Sequence, residues 1–111
     1  MAIYCEVFPR QGATPRQLQE LGLALQRWYA RESREYGIAL YTNGEGARAL
    51  RDGRLPPARA PRRRGRQSPA VPLAVRAGRA YDRRTVIESL RKDIRPDLVD
   101  DVLIDGRSWR D

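Results

Sequence analysis

Ile3, Cys5 and Val7 alternate with Tyr4, Glu6 and Phe8. This is the period-two pattern of a strand whose two sets of side chains face opposite sides of a sheet. Pro9 ends the run. After a turn at Gln11-Gly12-Ala13 the period changes. Leu18, Leu21, Leu25 and Trp28 follow at spacings of three, four and three, which places them on one stripe of a helix. Thr14-Pro15-Arg16-Gln17 opens that helix with Thr at the N-cap, Pro at the first helical position and Gln at the third. Gly37 suits a left-handed stop, so the helix is expected to run to about Glu35.

Gly37 to Thr42 reads as a second strand, Asn43-Gly44-Glu45-Gly46 as a turn, and Ala47 to Arg51 as a short helix. From Asp52 to Pro69 the chain is Gly, Pro, Ala and Arg with almost no large apolar residue. Nothing there can offset the entropy of ordering, so 52–69 is expected to be an excursion from the packed structure. Val71 to Arg76 resumes as a strand. Asp82 caps a second helix that buries Val86, Ile87, Leu90 and Ile94, and Pro96 stops it. Val102 to Asp105 makes a last short strand before Gly106 and a polar tail containing Trp109. The order βαβ, excursion, βαβ predicts one α+β domain over 1–111. Its most economical form is a ferredoxin-like βαββαβ sandwich: a four-stranded antiparallel sheet, two helices on one face, and a long basic loop between the middle strands.

Charge changes this picture. Of 22 basic residues only Lys92 is lysine, a bias that a GC-rich genome produces unaided. Their placement is more informative. Residues 1–46 are balanced, 85–111 carry −2, and 47–84 carry twelve Arg against Asp52 and Asp82, a net +10. The whole excess of +8 therefore belongs to the middle third, and drift in composition alone predicts an even spread.

Several chemistries drop out. With no histidine, Ser-His and Cys-His nucleophile pairs and histidine-bound zinc are excluded. Cys5 alone makes no internal disulfide and reads as an inert buried thiol. No apolar run approaches the roughly 18 residues that span a membrane. The N-terminus has no basic region followed by an apolar stretch, and the expected location is the cytoplasm. Asp97, Asp100, Asp101 and Asp105 fit no metal-loop spacing and read as solvation of a helix–strand connection. The glycine-rich phosphate loop of acylphosphatases is not matched by Pro9-Arg10-Gln11-Gly12. Thr42-Asn43-Gly44-Glu45-Gly46-Ala47-Arg48 is a partial glycine pattern, read first as a turn leaving the sheet. No cofactor and no metal are expected.

Binding of anions remains, ahead of catalysis. Arg48, Arg51, Arg54, Arg59, Arg62, Arg63, Arg64 and Arg66 form a dense guanidinium set, which matches phosphate oxygens and releases counterions on a polyanion. If Ile3, Cys5 and Val7 face the helices, Tyr4 and Phe8 face the other side of the sheet, joined by Tyr41 and Arg76 from neighbouring strands. Aromatic rings beside arginine on an open sheet are what base stacking uses. The arrangement is similar to the topology of RNA-recognition-motif domains, which also carry a basic loop between the middle strands. It departs from them in the third strand, Val71-Pro72-Leu73-Ala74-Val75-Arg76, which has none of that family's aromatic signature. The expected partner is RNA, DNA or another polyanion. The alternatives are an assembly module that forms a homodimer through the open face, and a small enzyme that holds a phosphorylated substrate with Arg48 and Arg51.

Overall fold

The structure, a computed structural model, describes residues 2–42, 44–59 and 68–111. Strand β1 (Ala2–Pro9) leads into helix α1 (Pro15–Tyr36), then β2 (Ala39–Tyr41) and a short helix α2 (Glu45–Arg51). Two residue pairs follow, β3 (Ala58–Arg59) and β4 (Ser68–Pro69), then β5 (Val71–Arg76), α3 (Arg83–Asp93), a 3-10 turn (Pro96–Leu98), β6 (Val99–Ile104) and β7 (Arg107–Ser108). The main sheet is antiparallel, five strands in the order β2-β5-β1-β6-β7, and β3 and β4 pair separately. The class is α+β with three α-helices among the described residues.

Local chemistry sets the helix ends. The Gln17 N–H donates to Thr14 Oγ1 (3.1 Å) and the Thr14 N–H donates to Gln17 Oε1 (2.9 Å), closing a capping box with Pro15 at the first position. Gly37 ends α1 in the left-handed region at φ 63°. The Asp82 carboxylate accepts the Thr85 N–H at 3.0 Å. Those bonds from Thr85 hold its carboxyl below the ordinary range.

The core lies between one face of the sheet and the helices: Ile3, Cys5, Val7, Val71, Leu73, Val75, Val102 and Ile104 meet Leu18, Leu21, Trp28, Val86 and Leu90. A polar seam joins α1 to α3 inside it. Trp28 Nε1 donates to Ser89 Oγ (2.8 Å), and the Tyr81 hydroxyl donates to Glu32 Oε1 (2.8 Å). Arg31 pairs with Glu32 (3.1 Å) and Asp93 (2.7 Å) and donates to the Ser89 carbonyl (3.1 Å). Burial above all pushes the Tyr81 hydroxyl up, and Glu32 adds to the rise against the opposing Ser89 bond.

Cys5 is buried, and burial pushes its thiol up to about 12, with Asp105 and Glu6 adding to the effect. A thiol reagent at mildly alkaline pH is expected to label native protein at least about a hundredfold more slowly than denatured protein, because the thiolate is the reactive form. Comparable rates in the two states would contradict this burial.

Three of the structure's departures from the sequence reading shape the fold. The first is the 52–69 excursion, whose ends are ordered. Ala58 pairs with Pro69 and Arg59 with Ser68, Pro56 is buried, and the Ala70 N–H reaches the Pro57 carbonyl (3.3 Å). Second, the last strand begins at Val99 rather than Val102. Third, the tail folds back as β7. Asp105 (φ 51°) and Gly106 (φ 82°) make the tight turn between β6 and β7. That turn brings the Trp109 N–H to the Val102 carbonyl (2.8 Å) and buries the indole in the core. Arg91 then stacks over Trp109 at 5.4 Å and donates to its carbonyl (2.7 Å), so the tail is part of the fold.

Candidate nucleic-acid interface

Strand alternation sends Tyr4, Glu6 and Phe8 to the face of β1 away from the helices. Register then decides their neighbours. Tyr4 lies opposite Ala74 on β5, and Ala74 lies opposite Tyr41 on β2. The three form one row, with the tyrosine Cα atoms about 10 Å apart across two strand spacings. Both rings are accessible, Tyr4 at 44% and Tyr41 at 56% of full exposure. Between them Ala74 presents only a methyl group. One row further along the same face, Ala2, Arg76 and Ala39 lie side by side, so the exposed Arg76 stands between two small residues.

One side-chain and one main-chain bond to Asp105 fix the Tyr4 end of this row. The Tyr4 N–H donates to Asp105 Oδ1 (3.0 Å) and the Asp105 N–H donates to the Tyr4 carbonyl (2.7 Å). The opposite end of the face is closed. Phe8 is 5% exposed and packs with Ala70 and Leu103, and Glu6 and Asp101 are buried there too. Phe8 therefore shares the face expected for it but not the exposed platform. Ala70 is four residues from Ala74 on the same strand direction, about 13 Å, and directly follows β4.

The arginines divide. Arg76 joins the tyrosines. Arg48 and Arg51 sit on α2, which packs on α1 and against the core-facing side of β5, and Arg54 follows it. Arg54 pairs with Asp52 at 3.0 Å, both in solvent. Arg59 lies in β3, while Arg62, Arg63, Arg64 and Arg66 lie outside the described residues. Elsewhere arginines are committed to the fold: Arg83 and Arg91 hold the tail carbonyls of Ser108 and Trp109, and Arg95 pairs with Glu20 and Asp97. Arg48, Arg51 and Arg76 have no such carboxylate or carbonyl partner among the described residues.

The acidic residues near β6 are spent on structure. Asp97 pairs with Arg95, and Asp100 accepts the Gln11 N–H. Asp101 accepts from Ser108 Oγ and its neighbour's N–H, and Asp105 accepts the Tyr4 N–H. No cluster suited to a metal ion occurs among the described residues, and no described helix is long and apolar enough to cross a membrane. Two local causes account for the glycine pattern: Gly44 adopts φ 77°, and a Cβ at Gly46 would lie 3.3 Å from Val71 Cγ2 and 3.5 Å from Pro56 Cβ. Ala74 was not singled out from the sequence. Its face follows from alternation in β5, but its seat between two tyrosines needs the register of three strands. Compared with known family models, curated proteins and solved structures, the chain has no match.

Proposed function

We propose that this protein is a small cytoplasmic, non-catalytic binding module for single-stranded nucleic acid, built on a ferredoxin-like βαββαβ sandwich. The order β2-β5-β1-β6 of four of the five strands in the main sheet supports the fold assignment. Relative to that plan, α2 and the β3–β4 pair occupy the central connection, and β7 is appended at one edge. The Tyr4-Ala74-Tyr41 row beside Arg76 carries the functional reading. Tyr4 and Tyr41 are both exposed, and base–aromatic stacking does not demand a sequence. Ala70, which follows β4, lies about 13 Å along the chain from Ala74, so the strand pair that flanks the arginine-rich residues in sequence enters β5 within reach of the same nucleic-acid strand's phosphates.

Tyr4→Ala and Tyr41→Ala are each expected to weaken binding of a fluorescent single-stranded RNA or DNA dodecamer about tenfold, from the loss of one stacked base. Anisotropy at fixed low salt reads the effect. Unchanged affinity in both variants would remove the platform from the interface. Sedimentation of the same proteins tests the homodimer: a salt-insensitive dimer that Tyr4→Ala dissociates would assign the face to self-association instead.

A further inference from the structure

On the opposite side of the molecule, between α1, α2 and the edge strand β2, lies a cavity of about 320 Å³. This is within the roughly 300–1,000 Å³ range of small-molecule sites. Its walls are apolar, chiefly Leu23, Leu40, Leu50 and Leu73. Gln19, Gln26, Tyr29, Thr42 and Arg51 supply the polar positions, and no Asp or Glu lines it among the described residues.

The helices explain why the space exists. At Gly22 a Cβ would lie 3.2 Å from Leu50 Cβ, so α1 and α2 approach closely there. On α2 the lining residues Ala47, Leu50 and Arg51 fall at i, i+3 and i+4, one stripe of that helix. The small side chain of Ala47 leaves room beside the close approach, and Arg51 stands at the solvent end of the stripe. Gln19 Nε2 donates to the Arg51 carbonyl (3.4 Å), tying the end of α2 to α1. Leu23 is 54% exposed at the lip, apolar surface that an occupant would cover.

We propose that this cavity binds a small amphiphile with an apolar chain and one carboxylate. The leucine walls take the chain, and the Arg51 guanidinium, which has no ion-pair partner among the described residues, takes the carboxylate. Among the described residues Arg51 is the one cation that lines the cavity, which matches one negative charge rather than a polyphosphate. The site is separate from the tyrosine row, so its fate does not depend on the nucleic-acid reading.

The test titrates octanoate and 1-octanol into isotopically labelled protein and follows backbone amide shifts. Octanoate is expected to saturate the shifts of Gly22, Leu23, Leu40 and Arg51 in about the millimolar range, as its ten heavy atoms allow. Octanol is expected to bind about three- to tenfold more weakly, since an exposed charged hydrogen bond adds a modest preference. Arg51→Gln should erase the difference between the two, and Ala47→Phe should fill the space and abolish both. Arg51 is exposed, so its variant keeps the test valid if Ala47→Phe does not fold. Shifts that fail to saturate, that map elsewhere, or that are equal for the two ligands overturn the proposal. So do perturbations of these amides that scale with protein concentration, which would assign the groove to a second copy of the chain.

Discussion

Glu32→Ala is expected to destabilise the protein by about 3 kcal/mol, the lower end of the cost of removing one partner from a buried ion pair. Glu32 is 2% exposed and takes hydrogen bonds from the Tyr81 hydroxyl and Arg31. Its removal leaves Tyr81 with only a 3.3 Å contact to Ser89 Oγ. It also opens a cavity between α1 and α3. Arg31 keeps Asp93 and has a quarter of its side chain in solvent, which limits the cost. Tyr81→Phe keeps the ring and the packing against Tyr36 (5.1 Å between centroids), so about 1–2 kcal/mol is expected from the lost bond. Urea unfolding of the two variants checks both figures. A loss under about 1 kcal/mol for Glu32→Ala would mean the seam is not coupled to global unfolding.

The second large effect concerns charge. Changing Arg62, Arg63, Arg64 and Arg66 together to Ala is expected to lower affinity for single-stranded nucleic acid about a hundredfold at low salt. The logarithmic salt slope should also become shallower by about three if each arginine contacts one phosphate. The fold should be unaffected, because the four changes remove charge and no large apolar side chain. Binding isotherms over a range of salt concentrations separate this from the tyrosine variants, which should lower affinity while leaving the slope unchanged. A quadruple variant with the wild-type slope would remove these residues from the interface.

What the sequence made legible was mostly local. The Thr14-Pro15-Gln17 cap, the Gly37 stop, the Asp82 cap and the Val71–Arg76 strand follow from residues a few positions apart, and the structure has them where the pattern expects them. Tyr4, Tyr41 and Arg76 were assignable to one face by alternation alone. Their order across the sheet was not, because strand register depends on distant pairing. Trp109 was misplaced for a related reason. Its burial depends on the Asp105-Gly106 turn, which pairs β6 with a tail whose residues are mostly polar. Phe8 was given the right face and the wrong environment, since Ala70 and Leu103, far away in sequence, close over it.

The β3–β4 pair has an evolutionary consequence. Because the chain departs at Arg59 and returns at Ser68, its direct partner, residues between them can be added, lost or exchanged without altering the register of β5. On the proposed reading, changes in length and charge there would alter what the protein grips while the β3–β4 pairing holds the two ends together. A lineage could retune its target by editing one short stretch of the gene and leave the sandwich that carries it untouched.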